Sequence, residues 1–120
     1  YTEENTLSLH DALPISGGQR VQAPGGKLSI ADALMAPIPG AVVFEVAKEL
    51  LAPGFAVNDA ELERAVVFAA RKLKLLVEPG GAAGLAALLA GRIDASGKTV
   101  AVVLSGGNAE FGQIAEMVGA

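Results

Sequence analysis

The 120-residue chain has the length of one domain, with 52% hydrophobic residues, 18% charged residues and a formal net charge of −4. This composition argues against disorder, and the negative charge argues against a nucleic-acid surface, which needs clustered lysines and arginines. The chain has no cysteine, which excludes disulfides, thiolate metal sites and a cysteine nucleophile. No uncharged apolar run approaches the roughly 18 residues that a membrane helix needs. We expect a soluble, cytoplasmic α/β protein.

The first 16 residues differ in character from the rest of the chain. Residues 6–16 (TLSLHDALPIS) resemble one reading frame of a common sequencing adapter translated into protein. We therefore predict that residues 1–16 are an artefact without structure that packs against nothing, and that residues 17–120 are a C-terminal piece of a longer protein. A genuine polar N-terminal arm is the alternative. The only histidine, His10, lies in this segment and is not counted as a functional candidate.

Residues 17–40 are rich in glycine and proline and predict loops, with one short helical turn at residues 30–35. Apolar spacing then predicts a helix over residues 42–51, which the Pro53-Gly54 pair ends. One face of this helix carries Val43, Val46, Ala47 and Leu50. A short extended piece is expected at residues 55–57.

The clearest helix start in the chain is at Asn58. Asn58 lies three residues before Glu61, which is the spacing of a capping box with an asparagine cap. Apolar residues then recur at the spacing of one helical face: Leu62, Val66, Ala69 and Leu73. Basic residues crowd the last turn, where the helix dipole favours cations. The pattern predicts a helix over residues 59–73.

The last third of the chain predicts two helices around one strand. Residues 80–90 (GGAAGLAALLA) have almost no polar face and predict a buried helix with Gly91 as its C-terminal cap. Residues 100–104 form a continuous apolar, mostly β-branched run, as in a parallel strand that is covered on both faces. A turn follows at residues 105–108, and then a helix over residues 109–118. Helices that alternate with short buried strands indicate α/β layers.

The turn Ser105-Gly106-Gly107-Asn108 is the best candidate for a ligand site. Ligands of open α/β sheets bind at the carboxyl ends of strands, glycines allow close backbone approach, and a serine hydroxyl donates or accepts a hydrogen bond. A plain strand-to-helix turn with Asn108 as the helix cap explains the pattern equally well.

Glu78, which precedes Pro79, is the second candidate. It is either a carboxylate near a ligand or a capping acid ahead of the glycine-rich helix, and the local sequence favours the capping acid. The glycines at 80, 81 and 84 suggest either an anion site or close helix packing. The residues form no recognisable catalytic triad or metal cluster.

Three segments together resemble the C-terminal part of the threonine/serine dehydratases. They are SIADA at 29–33, KLLVEPGGAAGLAALLAG at 74–91 and GKTVAVVLSGGN at 97–108. These dehydratases are pyridoxal-phosphate enzymes of the second fold type, related to serine racemase and tryptophan synthase β. The resemblance implies a partial three-layer αβα domain with short buried parallel strands. Residues 17–120 would then be the C-terminal part of a pyridoxal-phosphate-dependent catalytic domain.

The same resemblance implies pyridoxal 5'-phosphate as cofactor and assigns residues to it. The hydroxyl of Ser105 would hydrogen-bond the pyridine nitrogen, and Gly106, Gly107 and Asn108 would complete the turn beneath the ring. Glu78 would lie near the cofactor in a less defined role. Ala33 stands where many relatives have glycine, which puts a backbone contact to the cofactor there in doubt.

The resemblance also implies β-elimination of a small hydroxy amino acid to a 2-oxo acid and ammonia. The Schiff-base lysine and the phosphate-binding loop lie upstream in the family, so we expect no catalytic residue here and an inactive fragment. A serine racemase or 3-hydroxyaspartate lyase relative is an alternative, as is a non-catalytic α/β ligand-binding module. We expect a homo-oligomer at full length, and no metal, nucleic acid or membrane as partner.

Overall fold

A computed structural model describes residues 6–8, 19–21, 29–35, 38–50 and 54–119. The described strands are β1 (Thr6–Ser8) and β2 (Ala56–Asn58). The helices are α1 (Ala41–Ala47), α2 (Asp59–Phe68), α3 (Ala83–Leu89) and α4 (Phe111–Val118). One π-helical turn (Ala69–Leu73) continues α2, and short 3-10 turns lie at Asp32–Leu34 and Gly80–Ala82.

The capping box at the start of α2 is confirmed. The side chain of Asn58 accepts a hydrogen bond from the backbone N–H of Glu61 at 2.9 Å, and the Glu61 carboxylate accepts one from the Asn58 N–H at 2.9 Å. Leu62 and Val66 are fully buried, as the predicted helical face requires. The helix ends at Lys74, whose φ of 60° is left-handed and cannot continue the helix. The predicted helix over residues 59–73 therefore forms, with a π turn as its last part.

The helix predicted over residues 80–90 forms as a 3-10 turn at Gly80–Ala82 followed by α3, and it contributes much of the core. Most of its alanines and Leu85 are buried, and the small side chains allow α3 to pack closely against α2. Gly91 caps it with a φ of +70° and donates its N–H to Leu88. Arg92 follows the cap and donates to the buried carboxylate of Glu61 at 2.9 Å, which links the end of α3 to the start of α2.

The last helix, α4, closes the core from a third side. It begins at Phe111, two residues later than predicted, and ends at Gly119, whose φ of +74° is left-handed. Its buried residue is Ile114, and Met117 and Val118 pack against the same cluster. The three helices α2, α3 and α4 thus share one hydrophobic core. In the part of the chain that the structure describes, no helix is long and apolar enough to cross a membrane.

Residues 100–104 do not form the strand that the sequence predicts. They are not assigned to a strand, and among the described residues the paired strands are β1 and β2, which run antiparallel. Val102 and Leu104 pack against the core, whereas Val103 is 84% exposed. Side chains of an extended segment alternate between two faces, and the described residues cover only the face toward the helices. The prediction of a strand covered on both faces is therefore wrong for this part of the molecule.

Helix α1 buries a different residue from those on its predicted apolar face. Val43, Val46 and Leu50 are exposed, whereas Phe44 is 5% exposed. The helix is also shorter than predicted, because it ends at Ala47 and residues 48–50 form a turn. A helical period identifies which residues share a face, but it does not identify which face a neighbouring element covers.

Strand β1 lies in the segment that was predicted to pack against nothing. Its backbone pairs with β2, with Leu7 opposite Val57. This pairing contradicts the prediction for those three residues, and the physical reason is that the edge of β2 offers unpaired N–H and C=O groups to an extended segment. The side chain of Leu7, and Leu9 and Leu13 entirely, lie outside the described residues, so the burial predicted for them stays a prediction.

Candidate functional site

The two sequence candidates, Glu78 and the turn that begins at Ser105, lie side by side. The backbone N–H of Glu78 donates to the carbonyl oxygen of Gly106 at 2.8 Å, and the N–H of Ser105 faces the carbonyl oxygen of Gly81 at 3.5 Å. The end of the extended segment is thereby held against the start of the glycine-rich helix. Residues that are more than 20 positions apart in the sequence thus lie together in one candidate site.

Gly106 is a glycine for two reasons. Its φ of +73° is left-handed, which other residues adopt at a cost. A Cβ atom built on it would overlap the carboxylate end of the Glu78 side chain. The Glu78 side chain therefore lies directly over the backbone of the turn.

The capping interpretations of both candidates are not supported. The glycine-rich turn that follows Glu78 has no side-chain cap, and the Glu78 carboxylate contacts Gly106 instead. Helix α4 begins after Glu110, not Asn108, and it also has no side-chain cap. Neither candidate therefore caps a helix through a side-chain hydrogen bond, and this finding does not assign a ligand.

Gly81 also borders the candidate site, through a contact that the sequence did not predict. A Cβ atom on Gly81 would overlap the carbonyl oxygen of Ser105, and it would lie 3.1 Å from the Ser105 hydroxyl. The sequence left Gly81 open between an anion site and close packing, and the structure shows close packing against Ser105. The contact joins residues 24 positions apart, and no local pattern carries that signal.

The segment around Ala33 lies on the other side of the glycine-rich turn. A Cβ atom on Gly80 would lie 3.4 to 3.9 Å from side chains of Leu34, Ala33 and Ala31. The segment is fixed at its start, where the Ser29 hydroxyl donates to the carboxylate of Asp59 at 2.5 Å. The short turn predicted at residues 30–35 is confirmed at Asp32–Leu34, and it borders the site.

The polar groups of the turn are accessible. Ser105, Gly107 and Asn108 are exposed, and Glu78 and Gly106 are half-buried. No residue that the structure describes hydrogen-bonds the Ser105 hydroxyl. Over the described ranges, no group of three or more histidine, cysteine, aspartate or glutamate side chains could hold a metal ion. Among the described residues, the candidate site therefore offers a hydroxyl without a hydrogen-bond partner, glycine backbone and one carboxylate.

A comparison with protein families identifies the family of this chain. The family model described as pyridoxal-phosphate dependent enzyme matches residues 7–106, which include Glu78, Gly81 and Ser105. The chain belongs to this family. Members of the pyridoxal-phosphate dependent enzyme family use that cofactor, as the sequence resemblance implied.

Individual relatives show which members of the family this chain is similar to. The L-threonine ammonia-lyase of Thermotoga maritima is 35% identical over 96% of this chain and 28% of its own length. The crystal structure of the T.th. threonine deaminase is 28% identical, with a TM-score of 0.75 over 86% of this chain and 35% of that one. Maize serine racemase is 28% identical, with a TM-score of 0.74 over 89% of this chain and 35% of that one. The chain thus spans about a third of these proteins or less, and the similarity fits an α/β fragment of the family.

Proposed function

We propose that this chain is the C-terminal part of a threonine/serine ammonia-lyase that converts a small hydroxy amino acid to a 2-oxo acid and ammonia. The observation that carries the proposal is the free hydroxyl of Ser105 on a glycine turn that Glu78 and Gly81 hold in place. The similarity to L-threonine ammonia-lyase and to threonine deaminase supports this reaction over others of the family.

The residues of the turn fit pyridoxal 5'-phosphate. The Ser105 hydroxyl has no partner among the described residues, so it is free to hydrogen-bond the pyridine nitrogen. Gly107 carries no side chain, and a Cβ atom built on it would meet nothing within 4 Å among the described residues, so the ring of the cofactor can approach the backbone there; Gly106 completes the turn with Glu78 beside it. Asn108 is exposed at the end of the same turn. The Glu78 carboxylate lies against the turn at Gly106. In this proposal these five residues form one wall of the cofactor site.

The choice of serine suits elimination. When bound, pyridoxal 5'-phosphate withdraws electrons from the reacting carbon of the substrate. A carboxylate at position 105 would hold the pyridine nitrogen protonated and strengthen that withdrawal. The neutral hydroxyl of Ser105 gives a weaker withdrawal, which is sufficient where a leaving hydroxyl group takes the electrons. The covalent lysine and the phosphate-binding loop would lie upstream of this chain, so the chain alone would be inactive.

The extended segment at residues 100–104 is proposed to be a strand of a parallel sheet in the complete protein. Its helix-facing side chains are already packed, whereas Val103 on the opposite face is exposed. The parts of the relatives that have no counterpart in this chain would supply neighbouring strands and a second helical layer. The three-layer αβα architecture therefore belongs to the complete protein, and its homo-oligomeric state and cytoplasmic location stay predictions.

A racemase or a 3-hydroxyaspartate lyase would use the same wall. The similarity to maize serine racemase supports this alternative, whereas the similarity to L-threonine ammonia-lyase and threonine deaminase supports elimination. The non-catalytic module is not favoured, because the family is one of enzymes and the chain matches its model over residues 7–106.

The test is to isolate the complete protein and to supply pyridoxal phosphate with L-threonine, L-serine or 3-hydroxyaspartate. We expect a 2-oxo acid and ammonia from L-threonine or L-serine, and no turnover by the chain of residues 1–120 alone. Faster formation of D-serine than of 2-oxo acid would identify a racemase. Cofactor binding with no reaction on any of these substrates would contradict the enzyme proposal.

A further inference from the structure

We infer that Gly81 is a positioning residue for Ser105, because the missing side chain at position 81 leaves the room that the backbone carbonyl group of Ser105 occupies. The inference rests on the proposed function, in which this hydroxyl meets the ring nitrogen of the cofactor. Gly81 itself would touch neither cofactor nor substrate. Its effect would pass through the backbone of Ser105.

The contact between the two residues involves backbone atoms. A Cβ atom on Gly81 would overlap the Ser105 carbonyl oxygen and lie 2.6 Å from the Ser105 carbonyl carbon. A flexible side chain could rotate away from such an overlap, but a carbonyl group moves only when its residue moves. Alanine at position 81 must therefore displace the backbone that carries the Ser105 hydroxyl.

The hydroxyl has no other anchor in the described part of the chain. Nothing there hydrogen-bonds it, so the backbone of the turn sets where its Cβ atom lies and which positions its χ1 rotamers can reach. Two backbone hydrogen bonds join the turn to the glycine-rich segment. The Ser105 N–H donates to the Gly81 carbonyl oxygen, and the Glu78 N–H donates to the Gly106 carbonyl oxygen. A hydrogen bond to oxygen or nitrogen is lost over a change of about 1 Å, since its usual length is roughly 2.5–3.2 Å. A displacement of that size at Ser105 would remove the proposed contact to the ring nitrogen.

The neighbouring glycine in α3 provides a matched control. A Cβ atom on Gly84 would meet only Val102 Cγ1, at 3.4 Å, which is at the edge of ordinary van der Waals contact. Gly84 is exposed, and it lies three residues further along the same glycine-rich segment. Gly81→Ala and Gly84→Ala therefore make the same chemical change, with and without an overlap on Ser105.

The experiment uses the complete holoenzyme in five forms: wild type, Gly81→Ala, Gly84→Ala, Ser105→Ala and Gly81→Ala/Ser105→Ala. The readouts are the dissociation constant of pyridoxal phosphate, the absorption spectrum of the bound cofactor, kcat, and the Tm of the apoprotein. We expect Gly81→Ala to change the spectrum as Ser105→Ala does and to weaken cofactor binding by up to roughly tenfold, the size of one lost hydrogen bond. Gly84→Ala should match the wild type in spectrum and affinity.

The double variant separates positioning from a structural effect. Ser105→Ala keeps the carbonyl group, so the overlap with the new methyl group at position 81 persists and the Tm losses should add. No hydroxyl remains to be misplaced, so the double variant should show the spectrum and cofactor affinity of Ser105→Ala alone. Additive losses in cofactor affinity, or a normal spectrum in Gly81→Ala, would overturn the inference.

Two further outcomes are distinguishable. If Ser105→Ala leaves the spectrum and affinity unchanged, the proposed contact to the cofactor is wrong and the inference falls with it. If Gly81→Ala yields no folded protein, amide hydrogen exchange of the wild-type apoprotein tests the inference instead. The Ser105 amide should then exchange about tenfold more slowly than that of Gly107, as expected for a turn held by hydrogen bonds. Equal exchange rates would overturn the inference.

Discussion

The carboxylate of Glu78 occupies the space that a side chain on Gly106 would need, while the Glu78 N–H donates to the Gly106 carbonyl oxygen at 2.8 Å. A side chain larger than that of glycine at position 106 would therefore displace the Glu78 carboxylate. An acid ahead of a helix start is favoured on local grounds, but the Glu78 side chain also lies against the turn that follows Ser105. The two residues lie 28 positions apart, and their contact sets the position of the turn that carries Ser105.

The first prediction concerns Gly106 and has Gly91 as its control. Both residues have a left-handed φ, +73° and +70°, but a Cβ atom on Gly91 would meet nothing within 4 Å. Gly91→Ala should cost about 1–2 kcal/mol from the left-handed backbone alone. Gly106→Ala should cost more, because the methyl group also displaces the Glu78 side chain.

The measurement is chemical unfolding of the complete protein. In a Glu78→Ala background the extra cost of Gly106→Ala should disappear, which leaves the cost seen at Gly91. An equal cost of the two glycine variants in the wild-type background would show that Glu78 does not press on the turn.

The second prediction concerns the core. Leu62 is fully buried between α2 and its neighbours, and Leu62→Ala should cost about 2–5 kcal/mol because it leaves a cavity. Leu89→Ala, at a leucine that is 45% exposed in α3, should cost much less. Thermal unfolding of the two variants compares their losses of stability. A larger loss of stability for Leu89→Ala than for Leu62→Ala would mean that the helices pack differently.

The third prediction concerns the capping box. Asn58→Ala removes the acceptor for the Glu61 N–H and should cost about 0.5–2 kcal/mol, as loss of an N-terminal cap does. Asn58→Asp keeps an oxygen acceptor and should retain most of the stability. Similar losses for the two variants in urea unfolding would show that the side-chain cap contributes little.

Much of the helical part of this fold follows from local sequence. The helix at Asn58 begins with a cap whose two hydrogen bonds span only three residues, so its pattern is complete in the sequence. The glycine-rich helix is equally clear, because a segment with almost no polar face must be buried.

The rest depends on partners that are distant in sequence. The exposure of Val103 depends on which strands lie beside it, and the burial of Phe44 depends on which face of α1 meets a neighbour. The contact of Gly81 with Ser105 depends on how two segments meet, and a glycine at that position would suit an anion site as well. The resemblance to the dehydratases identified Glu78 and Ser105 together, whereas their local patterns favoured a capping role as strongly as a ligand site or more so.

The fourth prediction concerns the N-terminal segment, which we propose to be a translated sequencing adapter. Three paired residues on each side form a very short two-stranded sheet, which is marginally stable in water. Because residues 6–16 resemble a translated adapter, renewed sequencing of the gene should give a different sequence in place of residues 1–16. A complete protein with the corrected sequence should be at least as stable as one that retains residues 6–16. Recovery of TLSLHDALPIS from genomic DNA would contradict the proposal.

The central claim is most directly tested at Ser105 in the complete protein. Ser105→Ala should retain the cofactor with a loss in affinity of roughly tenfold or less, the size of one hydrogen bond, whereas 2-oxo acid formation should slow by a larger factor. Ser105→Asp should protonate the pyridine nitrogen and shift the products toward transamination. The decisive measurement is the cofactor absorption spectrum of Ser105→Ala together with its rate of 2-oxo acid formation. A changed spectrum with slowed elimination is the predicted result, and a wild-type spectrum with full turnover would contradict the assignment of this turn to the cofactor.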